Sequence, residues 1–217
     1  MVCLLELDLP GYVVSAVTAI AELQQPLTTV EVDGAGLRAS TRRQREYIAG
    51  RNLVGKLLAV LGQGGQILGS DGNGVPLWPK GITGSISHCR DMVFAAVAET
   101  DRITALGVDI EDLGRFHDGL AEVVLTVREQ AELPSDEAMR QRQMAITFSA
   151  KEAFYKCQFA THAEVLDFLD AEVRIEDEAF HIVMVDQARH GHLAEGVTGR
   201  YAVSDAHVAT IAWFSAP

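Results

Sequence analysis

Phe148-Ser149-Ala150-Lys151-Glu152-Ala153-Phe154-Tyr155-Lys156 is the stretch on which the reading of this chain turns. In a helix, Glu152 and Lys156 stand four apart and leave from one face, with Lys151 next to Glu152 around the cylinder. On a wet helix such a pair is worth roughly 0.3–0.5 kcal/mol and signifies little. The aromatic density argues for more. Phe148, Phe154, Tyr155 and Phe159 would bury much of the helix, which sets the charges at a boundary between core and cleft. A carboxylate beside two ammonium groups at such a boundary is equipped to bind a metal, to act as a base and to sit against phosphate oxygens.

Upstream lies Gly107-Val108-Asp109-Ile110-Glu111-Asp112. Side chains alternate along a strand, so Val108 and Ile110 point into the core and Asp109 and Glu111 share the opposite face. Two carboxylates about 7 Å apart repel unless a cation sits between them. All-oxygen ligation of this kind suits Mg²⁺, which takes one or two protein carboxylates and completes its octahedron with water and substrate phosphate. Taken alone, the pair reads more readily as a solvated strand end beside a turn, and it is the other motifs that favour the metal reading. Further upstream, Gly84-Ser85-Ile86-Ser87-His88-Cys89-Arg90-Asp91 follows a glycine-rich segment. Two serines, an arginine and backbone N–H groups there suit anion binding.

Between these motifs, the apolar spacing from Thr41 to Leu61 predicts a helix with arginines in its first turns. Gly62 to Gly84 reads as loop. It has neither the strand-turn-helix order of a dinucleotide fingerprint nor the GKS or GKT of a P-loop. Met92–Ala98 and Ile103–Ile110 read as two strands joined by the turn Glu99-Thr100-Asp101-Arg102, with a hairpin as the expected connection. Leu120 to about Gln158 is helical with a break near Pro134-Ser135. Ala171–Val185 and Thr198–Phe214 alternate as antiparallel strands, with His190-Gly191-His192 in an exposed loop between them. The order fits α+β rather than a βαβ repeat. An internal echo, Gly84-Ser-Ile-Ser before Met92-Val-Phe-Ala-Ala-Val against Tyr201-Ala-Val-Ser before His207-Val-Ala-Thr-Ile-Ala, hints at two similar halves with a cleft between them.

At 217 residues the chain is one domain or two small ones, large enough to bury a core without metal or disulfide. Eighteen basic against 30 acidic side chains give a net charge of −12, which argues against nucleic acid as the main partner. The basic cluster from Arg38 to Arg51, with Arg42, Arg43 and Arg45, is sized for one small polyphosphate ligand. Cys3, Cys89 and Cys157 are odd in number and form no CxxC, so a reducing cytoplasm is expected. The opening segment lacks a basic start and carries Glu6, Asp8 and Pro10, unlike a signal peptide. No apolar run reaches the roughly 18–20 residues of a membrane span, so a soluble protein is expected.

The three motifs, Ser-Ile-Ser-His at 85–88, Gly-Val-Asp-Ile-Glu at 107–111 and the helix motif at 148–156, stand in an order and spacing that resemble the Sfp-type 4′-phosphopantetheinyl transferases. The likeness is closest to the branch of the enterobactin synthetase component, with Trp78-Pro79 and Gly84 to Cys89 adding to it. It implies an α+β pseudo-dimer, an N-terminal half over 1–105 and a C-terminal half over 106–217, with the site in the cleft between them. It also implies transfer of the phosphopantetheine arm of coenzyme A to a serine of an apo acyl or peptidyl carrier protein, by a cytoplasmic monomer, in nonribosomal peptide or polyketide assembly. Position by position, Asp109, Glu111 and Glu152 would hold Mg²⁺, Glu152 would also serve as base, and Lys156 and Lys151 would neutralise the transferred phosphate. Ser87 and His88 would meet coenzyme A phosphates, and Arg51, with Arg43 or Arg45, the 3′-phosphate. Gly74 and Pro76 would line the adenine side, where Val75 replaces a lysine common in the family and Lys80 is the nearest substitute. The alternatives are a metal-dependent coenzyme A pyrophosphate hydrolase and a non-catalytic coenzyme A or carrier-protein binding module.

Overall fold

A computed structural model describes residues 6–26, 41–66, 68–71 and 75–217. Cys3, Arg38 and Gly74 lie outside them. In chain order the elements are β1 (Val13–Ala19), α1 (Thr41–Val60), β2 (Gly69–Ser70), β3 (Pro76–Leu77), β4 (Ile82–Cys89), β5 (Met92–Glu99) and β6 (Ile103–Asp112). There follow α2 (Ala121–Val124), α3 (Val127–Ala131), α4 (Glu137–His162), β7 (Ala171–Glu176), β8 (Ala179–Met184), α5 (Gln187–His190), β9 (Val197–Val203) and β10 (His207–Ser215).

β5 is buried on both faces, and this determines its place. Val93, Ala95 and Val97 pack with Ala49, Leu53, Val54 and Leu57 of α1. Phe94, Ala96 and Ala98 pack with Leu106, Val108 and Ile110 of β6 and with Ala209, Ile211 and Trp213 of β10. Both edges of β5 are also taken, by β1 and β4, in a three-stranded antiparallel sheet of order β1-β5-β4. β6 is an edge strand of a second antiparallel sheet, β6-β10-β9-β8-β7, whose far face is covered by α4 through Ala150, Ala153, Phe154 and Cys157. The layers therefore run α1, first sheet, second sheet, α4.

Strand, helix and hairpin recur in both halves, and each hairpin's second strand lies beside the strand that opens its half. β5 lies between β1 and β4, and β10 lies between β6 and β9. The echo in the sequence corresponds to the two hairpins β4–β5 and β9–β10, as expected for an α+β fold of two similar halves.

Three expectations are corrected. β5 and β6 form no hairpin with each other, because the edges of β5 are occupied and β6 pairs with β10 instead. The segment from Gly62 to Gly84 is not all loop: β2 and β3 pair, and Gly84 lies inside β4, where Trp78 covers it so closely that a Cβ would sit 2.5 Å from the indole ring. His190-Gly191-His192 is not an open loop either, since His190 ends α5 and Gly191–Leu193 forms a 3-10 turn.

α4 starts at Asp136, whose carboxylate accepts the Met139 N–H at 2.9 Å, just past the expected break at Pro134-Ser135. It ends at Ala163 in the left-handed conformation. The helix is pinned to the second sheet by Thr210 Oγ1, which donates to the Ser149 carbonyl at 2.8 Å and accepts from Ser149 Oγ at 2.8 Å. Gly107 allows the closest approach. A Cβ there would stand 2.1 Å from the Ala153 carbonyl oxygen and 2.6 Å from the Cys157 nitrogen, so β6 and α4 touch backbone to backbone.

Candidate active site

Alternation on β6 places Val108 and Ile110 in the core between the sheets, and turns Asp109 and Glu111 toward α4. Both carboxylates are buried, at 3% and 7% exposure. Asp109 Oδ1 accepts from Lys156 Nζ at 2.8 Å and from Ser87 Oγ at 2.8 Å. Lys156 Nζ also reaches the Val108 carbonyl at 3.1 Å and Ser87 Oγ at 3.2 Å. Three elements thus meet at one carboxylate: β4 from the first half, β6 and α4 from the second.

The other oxygen of Asp109 is different. Oδ2 is buried and has no hydrogen-bond partner, a costly state for a carboxylate oxygen unless a cation or donor completes it. Burial, reinforced by the neighbouring Asp109 charge, pushes Glu111 up to about 7, against the pull of Arg115, whose Nη1 lies 2.5 Å from Glu111 Oε2. Glu152, half-buried on α4, is also raised, by burial and by Asp109, with Lys156 opposing. Besides burial, the Asp109 charge raises both glutamates, and a hard divalent cation beside Asp109 would relieve that repulsion. Among the described residues no three acidic, histidine or cysteine side chains form a ready-made cage. Mg²⁺ does not need one, since it binds through one or two carboxylates together with substrate phosphate.

Cationic groups lie on the N-terminal side of this cluster. His88 on β4 has Nδ1 3.7 Å from Glu46 Oε2, and the Arg42 Nε–Glu46 Oε1 pair is 2.7 Å. Burial lowers the His88 pKa; Glu46 opposes this, and Lys156, Arg42 and Arg43 add to the lowering, so these groups share one electrostatic neighbourhood. Arg45 lines a separate cavity of about 270 Å³ with Arg42, Glu46 and Arg90. Arg51 is buried further along α1, its Nη2 2.6 Å from Ser70 Oγ and its guanidinium over the Tyr47 ring at 4.4 Å, while its Nε has no partner.

A cavity of about 500 Å³ opens beside Lys156 between the halves, walled by Pro76, Trp78, Ile86, Tyr155, Phe159 and Leu166 among others. It is largely apolar and open at one side, the shape for a slender arm with an anionic end at the ammonium.

Lys151 does not join the site. It is completely buried on another side of α4, and its three hydrogens go to the Val124 carbonyl (2.9 Å), the Phe168 carbonyl (2.7 Å) and Glu129 Oε2 (2.7 Å). One residue of helix rotates a side chain by about 100°, enough to turn Lys151 away from the face of Glu152 and Lys156. The sequence reading missed its partner, although Thr126-Val-Arg-Glu129 carries the spacing of a capping box, which the structure forms. It also missed Glu46 and Arg115.

Residues 34–98 match the family model of the 4′-phosphopantetheinyl transferase N-terminal domain, and residues 105–212 that of the 4′-phosphopantetheinyl transferase superfamily. The chain is 30% identical over 186 residues to the 4′-phosphopantetheinyl transferase Svp of Streptomyces mobaraensis, covering 83% of this chain and 76% of that protein. It is 31% identical over 137 residues to the 4′-phosphopantetheinyl transferase Npt of Nocardia iowensis, covering 63% of this chain and 61% of that one, which is less than two thirds of the relative's length. To enterobactin synthase component D of Salmonella typhi the identity is 32% over 120 residues, covering 54% of this chain and 49% of that protein.

Proposed function

The chain belongs to the 4′-phosphopantetheinyl transferase superfamily, and from that premise we propose that it moves the 4′-phosphopantetheine arm of coenzyme A onto a serine hydroxyl of an apo carrier protein, releasing 3′,5′-ADP. The observation that carries the reading is Asp109, with Lys156 on one oxygen and no partner on the other.

We assign Asp109 and Glu111, with Glu152, to Mg²⁺. The bound ion would neutralise the pyrophosphate. Glu152, its pKa raised by burial, takes the proton of the attacking serine as the new O–P bond forms. The P–O bond to the ADP moiety breaks, and that oxygen leaves with the electron pair. Lys156 places its ammonium against the charge that grows on the transferred phosphoryl group. The apolar cavity beside Lys156 receives the pantetheine arm. His88 and Arg43 meet the phosphates and Arg51 the 3′-phosphate; Arg45 lines a separate cavity and is left out of this assignment, and Pro76 meets coenzyme A as a wall of the apolar cavity. We divide the chain near residue 105 into a coenzyme A-binding half and a metal-binding half.

We further infer a carrier of nonribosomal peptide or polyketide assembly; support comes from the likeness to enterobactin synthase component D. We also infer a monomer acting in the cytoplasm, a reading that the two buried free cysteines, Cys89 and Cys157, fit as far as a reducing compartment goes; among the described residues no helix is long and apolar enough to cross a membrane.

The test is to incubate the protein with coenzyme A, Mg²⁺ and an apo peptidyl carrier protein and to weigh the carrier. A gain of one phosphopantetheine on the serine is expected. Release of 3′,5′-ADP without a carrier would identify a hydrolase instead, and coenzyme A binding with no turnover a binding module.

A further inference from the structure

β4 and β6 are the facing edges of the two sheets, and no backbone ladder joins them. Two serine hydroxyls bridge them instead. Ser85 Oγ accepts the Val108 N–H at 3.0 Å, and Ser87 Oγ donates to Asp109 Oδ1 at 2.8 Å. Lying two apart on one strand, both hydroxyls leave the same face of β4.

The direction of the Ser87 bonds follows from chemistry. The Lys156 ammonium has only hydrogens to give, and an ionised Asp109 has only lone pairs. Ser87 therefore accepts from Lys156 at 3.2 Å and gives its single hydrogen to Asp109. None is left for a phosphate oxygen, and at 7% exposure the hydroxyl has little room to turn outward.

We propose that Ser87 is a positioning residue, fixing Asp109 and Lys156 against each other across the two halves, and not a contact to coenzyme A. The proposal rests on the transferase reading and deepens it. With the hydroxyl removed, Asp109 Oδ1 keeps only Lys156, and the carboxylate is free to rotate about its last bond. Its unpartnered Oδ2 then loses the direction that Ser87 imposes. Binding of coenzyme A in the absence of Mg²⁺, which draws on the cationic groups of α1 and His88, does not depend on that direction.

The experiment compares Ser87→Ala, Ser87→Cys and Ser87→Thr with the unmodified protein, measuring steady-state transfer to an apo carrier and, by calorimetry, affinity for coenzyme A without carrier or Mg²⁺. Hydrogen bonds to charged groups imply a fall in kcat of about 10- to 100-fold for Ser87→Ala. The metal-free affinity for coenzyme A should stay within about twofold, a change too small for a lost charged hydrogen bond to the ligand. Ser87→Thr, which keeps the hydroxyl, should recover most of the rate. Ser87→Cys keeps the volume but donates weakly and should resemble Ser87→Ala, which makes the test independent of whether the alanine variant folds. An unchanged kcat, or a loss of coenzyme A affinity of about tenfold or more, would overturn the positioning role. If the unmodified protein does not load the carrier, the transferase reading itself has failed, and the two failures are told apart.

Discussion

Lys156 Nζ and Asp109 Oδ1 lie 2.8 Å apart, and this pair joins α4 to the edge strand β6 at the point where the first half also arrives. The ammonium is one-third exposed and its partner almost fully buried. It satisfies three acceptors pointing in different directions: a carboxylate, a backbone carbonyl and a serine.

Replacing Lys156 with methionine should lower kcat for transfer by at least about 100-fold, the usual loss when one stabilising donor is removed from a site of developing charge. Lys156→Arg should not restore it, because a planar fork does not reach three divergent acceptors as a compact ammonium does. Steady-state kinetics on both variants decide this, and an arginine variant with near-normal kcat would contradict it.

Lys151 should behave in the opposite way. Removing one partner of a buried ion pair costs about 3–5 kcal/mol, so Lys151→Met should lower Tm by on the order of 10 °C in a chain of this size. The variant that remains folded at low temperature should still bind coenzyme A with unchanged affinity. Scanning calorimetry and coenzyme A titration together check the assignment, which fails if affinity drops while Tm holds.

Glu111 makes stability depend on pH. Its folded pKa is about 7, above the ordinary carboxylate value of 4.5. The folded state therefore holds the proton more tightly than the unfolded chain, and the group contributes stability that is fully present below pH 4.5 and is lost as pH rises through 7. Melting curves of the metal-free protein should show Tm falling across that window, and Glu111→Gln should flatten the fall. Mg²⁺ should raise Tm more at pH 8 than at pH 6, since it competes with the proton for the same oxygens.

Gly107→Ala should separate α4 from β6. Its methyl group would stand 2.1 Å from a backbone oxygen, and backbone cannot yield as a side-chain tip does. A loss of about 1–3 kcal/mol is expected from overpacking. Transfer should fall further than stability accounts for, because Glu152 and Lys156 would move together away from Asp109. Urea denaturation alongside kcat measures the two effects; a stable variant with full activity would show that the close approach is unimportant.

Local pattern in the sequence was enough for most elements and for the acidic face of β6. Alternation determines which side of a strand Asp109 shares with Glu111, and helical spacing determines that Glu152 and Lys156 share a face. What local pattern does not carry is pairing. β5 and β6 follow one another through a short turn and look like a hairpin, but which edges are free depends on β1 and β10, far away in the chain. The same gap hid the fate of Lys151. Its neighbours in sequence are site residues, but the groups that claim it, Val124, Glu129 and Phe168, come from segments whose approach no periodicity records. The role of Ser87 escaped for a related reason: a serine before a histidine suits an anion, and only the meeting of two sheet edges directs its hydrogen to Asp109.

The doubled architecture bears on stoichiometry. Counting along the central strands, Ala95 of β5 corresponds to Thr210 of β10, so Ala16, opposite Ala95, stands where Asp109 stands opposite Thr210. Thr18 likewise stands where Glu111 does. The first half has no carboxylate at these two positions, and the outer side of β9, the counterpart of β4, is already paired with β8. One half's open sheet edge became a cleft, and the other half's was closed by a hairpin. The doubled fold thus carries the acidic pair on β6 and not on its counterpart β1, and a binding isotherm for coenzyme A should saturate at a single equivalent.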